Sequence, residues 1–198
     1  MREHVNDPYV QRAKAEGYRS RAAYKIAEID AKDHLFAKGQ IVVDLGATPG
    51  GWAQVAAQKV GPKGRVIAVD LLEMPPLPGV TFVQADFTTD EGVAAIEAAL
   101  GGRRPDLVLS DMAPNMSGVA SADQARIIYL NELTAEFAEK WLAPGGSVLM
   151  KTFQGAGFPE LLKRLRAQFS SVVSRKPDAS RGRSAEMYLL ARSPRIKD

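Results

Sequence analysis

The sequence predicts an α/β fold: one doubly wound, mostly parallel sheet with helices on both faces. Short apolar runs alternate with segments of helical periodicity across residues 41–191, the signature of strand–helix–strand units. Four of the apolar runs end at or just before an aspartate, namely Asp44, Asp70, Asp86 and Asp111. A chain of 198 residues, 45% hydrophobic and 25% charged, suits one globular domain with a sizeable core.

In chain order, Ser20 to Lys32 reads as an N-terminal helical segment. Ile41-Val-Val-Asp44 reads as a buried strand, followed by the glycine-rich loop Gly46-Ala-Thr-Pro-Gly-Gly51 and a helix from Trp52 to Val60. Gly64 to Asp70 is the second strand and Val80 to Gln84 the third, with Asp86 just beyond it. Leu107 to Asp111 is the fourth and Ser147 to Lys151 the fifth. Between these two lies an amphipathic helix over 122–141, in which Ile127, Leu130, Thr134, Phe137 and Trp141 recur at helical spacing. Ser121 and Gln124 form a capping-box pattern at its start, and Pro144-Gly145-Gly146 ends it. Phe158 to Phe169 is a further helix, ahead of strands near 171–175 and 186–191. No internal repeat or low-complexity stretch is visible.

Composition excludes several kinds of chemistry. No apolar run reaches the roughly 18 residues that a membrane span requires. Met1 to Arg12 is polar and lacks an apolar signal segment, so a cytoplasmic protein is expected. Cysteine is absent, which excludes a thiolate nucleophile, cysteine-ligated zinc and an iron–sulfur cluster. Two histidines, His4 and His34, are too few for a histidine-rich site, and no metal is expected. Catalysis is left to carboxylates, lysines, hydroxyls or a bound cofactor. The net charge of +3 conceals an asymmetry: residues 1–25 hold six bases against three acids, and 163–198 hold ten against three, while 26–162 are acidic. Basic ends around an acidic body fit a polyanion contact, or simply a solvated surface with basic tails.

Ligands of open parallel sheets bind beyond the carboxyl ends of the strands, beside the point where strand order reverses. The four aspartates stand there. The loop Gly46–Gly51 matches neither the dinucleotide pattern G-x-G-x-x-G nor the G-K-[ST] ending of a P-loop. A cofactor with ribose and adenine but no pyrophosphate fits better, and S-adenosylmethionine is the one expected. Glycines 46, 50 and 51 let the backbone approach a ligand with no Cβ between them. Asp70 stands where a carboxylate can accept both ribose hydroxyls, and Asp86 or its neighbour can meet the adenine edge. Any one of these aspartates could instead be a helix cap or turn former; four in register with a glycine loop favour the ligand reading. Trp52 is open to two roles, packing at the helix start or forming a wall of the cofactor pocket.

The absence of cysteine also narrows the acceptor, because carbon methylation of pyrimidines commonly proceeds through a covalent cysteine adduct. An Asn-Pro-Pro-Tyr-type motif for exocyclic amines is missing too, with Asp111-Met-Ala-Pro114 in its place after the fourth strand. Hydroxyl or small-molecule acceptors are left. Five blocks then occur in order: Ser20-Arg-Ala-Ala-Tyr-Lys25, Asp44-Leu-Gly-Ala-Thr-Pro-Gly-Gly-Trp52, Ser110-Asp-Met-Ala-Pro-Asn-Met-Ser-Gly118, Lys151-Thr-Phe-Gln-Gly155 and Arg175-Lys-Pro-Asp-Ala-Ser-Arg-Gly-Arg-Ser-Ala-Glu186. Through them, and along nearly its whole length, the chain resembles the FtsJ (RrmJ) family of ribosomal RNA large-subunit ribose 2′-O-methyltransferases. The glycine loop alone is weakly specific; five blocks in order are highly specific.

The resemblance implies a single Rossmann-like, seven-stranded S-adenosylmethionine-dependent methyltransferase domain. It implies a Lys-Asp-Lys-Glu catalytic tetrad on Lys25, Asp111, Lys151 and Glu186, and cofactor contacts on Gly50, Trp52, Asp70, Asp86 and Asp111. Thr48 stands where family members commonly have alanine, a change expected to adjust cofactor affinity slightly and not its identity. The implied substrate is a uridine 2′-hydroxyl in 23S-type ribosomal RNA, within the assembled large subunit, and a monomer is the default. Such a reaction is an in-line displacement in which the protein holds the 2′-oxygen and manages one proton. Lys151, at the end of the fifth strand, is the expected proton acceptor. The alternative is that the lysines orient the hydroxyl and stabilise developing oxyanion charge.

Taken one by one, Lys25 reads as a solvated helix lysine, Lys151 as a strand-end lysine in water and Glu186 as a cross-strand ion-pair partner. Only the resemblance links them. With that link the basic ends acquire a role. Lys14, Arg19 and Arg21 lead into Lys25, and Arg175, Lys176, Arg181 and Arg183 lead into Glu186, so both stretches are expected to line an RNA-backbone groove with salt-sensitive binding. Residues 1–35 are then an N-terminal helical RNA-contacting segment and 36–198 the catalytic α/β core of one domain. Competing readings are methylation of a tRNA anticodon-loop ribose and a ribosome-assembly RNA-binding factor with secondary catalysis. A nicotinamide-dependent oxidoreductase is disfavoured by the mismatched glycine loop.

Overall fold

The apolar runs pair into one seven-stranded sheet in the order β3-β2-β1-β4-β5-β7-β6, seen in a computed structural model that describes residues 7–114, 116–180 and 185–195. The strands are β1 (Ile41–Leu45), β2 (Arg65–Asp70), β3 (Val80–Gln84), β4 (Leu107–Ser110), β5 (Ser147–Phe153), β6 (Phe169–Arg175) and β7 (Glu186–Pro194). Strands β1 to β5 are parallel, and β7 runs antiparallel between β5 and β6. The helices are α1 (Pro8–Glu16), α2 (Ala22–Asp33), α3 (Gly51–Val60), α4 (Asp90–Leu100), α5 (Ala120–Trp141) and α6 (Phe158–Gln168), with a 3₁₀ turn at Asp178–Ser180.

Parallel strands covered on both faces read as nearly continuous apolar runs, and all five residues of β1 are buried, Asp44 among them. Side chains nevertheless alternate between faces. Val43, Leu45, Ile67, Val69, Val108 and Met150 pack with Ile96, Phe137 and Leu161 of α4, α5 and α6. Val42, Val66, Leu109, Leu149 and Leu190 pack on the other face with Ile26 and Ile29 of α2 and Ala53 and Val55 of α3. The doubly wound expectation holds. Strand order reverses at β1, which has β2 on one side and β4 on the other, so the crevice predicted by topology opens at their carboxyl ends. Among the described residues no helix is long and apolar enough to cross a membrane.

Two helices were not expected from periodicity. Only Ala13 of α1 is buried, and α4 buries Gly92, Ile96 and Leu100 alone, so neither carries a broad apolar stripe. Their caps were legible. Asp7 accepts from Tyr9 N with Pro8 in the first turn, and Thr89 accepts from Gly92 N with Asp90 and Glu91 behind it. One cap reading is corrected. Helix α5 starts at Ala120 and its N-cap, Val119, makes no side-chain bond, so Ser121 lies inside the first turn and no capping box forms. Asp123 does the work instead, accepting from Ser117 N, Ser117 Oγ and Gly118 N. Gln124 turns its amide to the carbonyls of Phe153 and Ala156.

Candidate active site

Period-2 alternation, counted from the core, places the functional side chains. On the face covered by α2 and α3, Val42 is followed two residues later by Asp44, Leu109 by Asp111, Leu149 by Lys151, and Leu190 is preceded by Tyr188 and Glu186. Strand neighbours then line them up. Ser110 pairs with Met150 in parallel register, which sets Asp111 beside Lys151, and Lys151 pairs with Tyr188 across the antiparallel ladder. Lys25 reaches this row from α2.

The resulting contacts form one network. Lys25 Nζ lies 2.7 Å from Glu186 Oε1. Lys151 Nζ lies 3.3 Å from Asp111 Oδ1 and donates to the Asp111 carbonyl at 2.9 Å. The Tyr188 hydroxyl sits between the pairs, 3.1 Å from Asp111 Oδ1 and 3.2 Å from Glu186 Oε1. Ser180 Oγ donates to the same Glu186 oxygen at 3.0 Å. Burial pushes the Glu186 carboxyl up, but its hydrogen bond to Lys25, the charges of Lys25 and Lys151 and the Ser180 bond bring it below its ordinary value. Burial and the charges of Asp111 and Glu186 drive the Tyr188 phenol upward, so it remains a neutral donor. Asn131 of α5, buried, donates to the Lys151 carbonyl at 2.7 Å, on the side where β4 has ended.

A cavity adjoins this network where β1 and β4 part, lined by Ser20, Asp44, residues 46–49, Trp52 and Asp111. Asp44 is fully buried and neither carboxylate oxygen has a hydrogen-bond partner, the nearby Ala53 N–H giving only partial relief. Desolvation, and then the charges of Asp111 and Asp70, raise its carboxyl well above the ordinary range. Ser20 Oγ is buried and unpartnered as well. Asp70 accepts from Thr48 N and Leu72 N at 2.9 Å each, tying the glycine loop to the end of β2. Asp86 accepts from the Thr88 amide and hydroxyl. Both therefore act as turn formers; each Asp70 oxygen keeps a second lone pair for a ligand, whereas Asp86 Oδ1 already takes both Thr88 donors. The glycines serve protein packing too. A Cβ on Gly46 (φ +74) would stand 2.6 Å from Met112 Cγ, and one on Gly51 2.3 Å from Ser20 Oγ. Trp52 packs at the helix start, where its indole N–H donates to Ala22 O at 2.8 Å and its ring lies 5.6 Å from that of Tyr188, and it also lines the cavity.

A family model described as FtsJ-like methyltransferase matches residues 18–193. The chain belongs to that family. Relatives named ribosomal RNA large subunit methyltransferase E include one from Azoarcus sp. (strain BH72), 60% identical over 190 residues, covering 96% of this chain and 93% of its own. Another, from Chromohalobacter salexigens, is 60% identical over 191 residues and covers 96% and 91%. The crystal structure of a Plasmodium falciparum protein described as a ribosomal RNA methyltransferase superposes with a TM-score of 0.81 at 30% identity, over 89% of this chain and 98% of that one.

For this FtsJ-like chain the structure brings Lys25, Asp111, Lys151 and Glu186 together, with Trp52 and Asp111 at the adjoining cavity. It also fixes several of the basic side chains expected to line an RNA groove. Arg19 donates to the carbonyls of Pro49, Pro75 and Pro76, stapling the glycine loop to the chain beyond β2. Arg21 binds Asp7 and the Ala179 carbonyl. Arg175 grips Asp33 through two bonds, at 2.7 and 2.6 Å, and Lys176 donates to the Glu186 carbonyl. Each of these four side chains is thus held by carboxylates or carbonyls of the chain itself. Lys14 is exposed, and Arg181 and Arg183 lie outside the described residues.

Sequence reasoning missed Ser20, Asn131, Ser180 and Tyr188. Tyr188 carried a faint signal, a polar aromatic two residues after Glu186 in a strand. Tyr188→Phe keeps the ring on Trp52 but removes the donor between two carboxylates. The expected result is a kcat lowered about 10- to 100-fold, the scale of one hydrogen bond to a charged group, with cofactor affinity little changed in calorimetry.

Proposed function

We propose that this protein transfers a methyl group from S-adenosylmethionine to the ribose 2′-hydroxyl of a uridine in 23S-type large-subunit ribosomal RNA, within the assembled subunit. One observation carries the proposal: two lysine–carboxylate pairs, bridged by a neutral tyrosine, converge beside a cavity that holds a buried, unpartnered carboxylate. The names of the relatives supply the RNA.

The cavity suits the cofactor. An orphaned Asp44 is costly to ionise in the interior and is matched by the α-ammonium of an amino-acid group, while Ser20 Oγ can donate to its carboxylate. Asp70 can take the ribose hydroxyls, Asp86 can meet the adenine edge, and Gly50 and Trp52 shape the loop and wall. When bound, the cofactor supplies an electrophilic methyl group on a sulfonium.

Everything else falls to the chain. Lys25, fixed by Glu186, and Lys151, fixed by Asp111, present two side-chain nitrogens that orient an incoming hydroxyl between them. Lys151 Nζ, as the free amine, is the site that receives the hydroxyl proton as the oxygen–carbon bond forms and the carbon–sulfur bond breaks, and Asp111 compensates the charge that results. Lys14, Arg181 and Arg183 contribute to the approach of the RNA backbone.

The test is transfer of labelled methyl from S-adenosylmethionine to unmodified large subunits, with naked large-subunit RNA and bulk tRNA in parallel. The product is mapped by resistance to alkaline cleavage, which a 2′-O-methyl group confers on the adjacent phosphate. Label in the subunit at one alkali-resistant uridine is expected. Label confined to tRNA would overturn the substrate, and alkali-sensitive label would overturn the ribose acceptor. Absence of label in all three RNAs, with the cofactor bound, would favour an assembly factor instead.

A further inference from the structure

Helix α2 presents more than Lys25 to the segment that leads into β7. Arg21, Lys25, Glu28 and Asp33 all reach residues of the 175–186 stretch: Arg21 the Ala179 carbonyl, Lys25 the Glu186 carboxylate, and Asp33 the Arg175 guanidinium. Glu28 lies one helical turn beyond Lys25, on the same side of the helix. Its Oε2 accepts from Asp178 N at 2.6 Å and its Oε1 from Ala179 N at 3.3 Å. These are the first two amides of the 3₁₀ turn, donors that a helical turn leaves without internal partners. A single carboxylate therefore caps the turn from another element of the fold.

The third residue of that turn is Ser180, which is 6% exposed. Its amide is bonded to the Pro177 carbonyl and its hydroxyl donates to Glu186 Oε1 at 3.0 Å. That same oxygen receives Lys25 Nζ. The path from Glu28 to Glu186 is thus backbone cap, turn, hydroxyl and carboxylate, and it returns to Lys25 three residues away on the same helix.

We infer that Glu28 is a positioning residue for methyl transfer: by capping the 178–180 turn it holds Ser180, and through Ser180 it sets the Glu186–Lys25 pair. The inference rests on the methyl-transfer function proposed above. Glu28 touches none of the four tetrad side chains in these contacts, and its partners are backbone amides. Replacing it removes no charge from the tetrad and no group from the cofactor cavity; it lets the turn, and with it Ser180 Oγ, move. The consequence falls on the geometry of the reacting hydroxyl and spares ligand affinity.

The test is steady-state methyl transfer to unmodified large subunits by the wild-type chain, Glu28→Ala, Glu28→Gln, Ser180→Ala and the double alanine variant. Melting temperature and S-adenosylmethionine affinity are measured for each. Glu28→Ala is expected to lower kcat about tenfold, the scale of one charge-assisted hydrogen bond, with both KM values within about twofold. Glu28→Gln keeps an acceptor oxygen and is expected to recover to within about threefold of wild type. Ser180→Ala should match Glu28→Ala, and the double variant should fall no lower than the lower single, because residues on one path are not additive. Four results would overturn the inference: a Glu28→Ala kcat within twofold of wild type, losses confined to KM, a Gln variant as slow as Ala, or multiplicative losses in the double variant. Absence of transfer by the wild-type chain would instead strike the proposed function, and this inference with it.

Discussion

Lys151→Met is expected to slow single-turnover methyl transfer about 10³-fold, while cofactor affinity stays within a few-fold. The magnitude follows from the role, since a positioned general base contributes roughly 10² to 10⁴. The residue is built for it. Lys151 is 9% exposed, its side-chain nitrogen is held in place by the Asp111 carbonyl and carboxylate, and its own carbonyl is held by Asn131. Methionine fills the same volume without the amine, and Asp111 retains the Tyr188 hydroxyl. Lys151→Arg separates the two roles left open by the sequence. A guanidinium orients a hydroxyl and stabilises negative charge, but it cannot accept a proton near neutrality. An arginine variant as slow as methionine is the expected result. Recovery above about a tenth of the wild-type rate, more than a lost base allows, would show that Lys151 orients the acceptor and that the proton leaves elsewhere.

Asp44→Asn is expected to raise the melting temperature of the cofactor-free protein at neutral pH and to weaken S-adenosylmethionine binding about 10- to 100-fold. The binding loss is that of one hydrogen bond between charged groups, about 1.5–3 kcal/mol. The stability gain arises because the wild-type carboxyl has no partner at full burial. Desolvation, then Asp111 and Asp70, raise its folded-state pKa above the unfolded value. Stability that depends on the protonated form is therefore complete below the ordinary carboxylate range and declines as pH rises through the raised folded value. Asparagine abolishes that decline. Each kcal/mol corresponds to about 2–4 °C in a chain of this size, so the two melting curves should converge in acid and separate toward neutral pH. Saturating cofactor should narrow the gap by stabilising the wild type. Melting temperatures that stay equal across this range would show that Asp44 is not the costly group the geometry describes.

Much of the molecule was legible in the chain itself. The central strands could be read because a buried parallel strand is a short, nearly continuous apolar run, and Ile41–Leu45 and Leu107–Ser110 are such runs. The glycine loop was legible because Gly46, Gly50 and Gly51 cluster directly after a strand. Missing cysteine excluded a whole class of catalysis without reference to any fold. Helices α1 and α4 escaped periodicity because each buries so little, and the capping box at Ser121 failed because helix α5 begins before it.

Tertiary structure decided the rest, and the physical reason is the same in each case. Local pattern states that a strand alternates, but not which of its faces meets α2 and α3; that choice places Asp44, Asp111, Lys151, Glu186 and Tyr188 together. Register across β4, β5 and β7 then brings residues 111, 151 and 188 side by side, although no sequence window contains them all. Charge follows the same logic. Arg19, Arg21 and Arg175 look like free cations in sequence, because their partners, the carbonyls of Pro75, Pro76 and Ala179 and the carboxylate of Asp33, come from distant segments. The sequence by itself determined the strands, the cofactor loop and the residue types available for chemistry. Only the packed fold decided which charges face one another and which are spent in holding the site together.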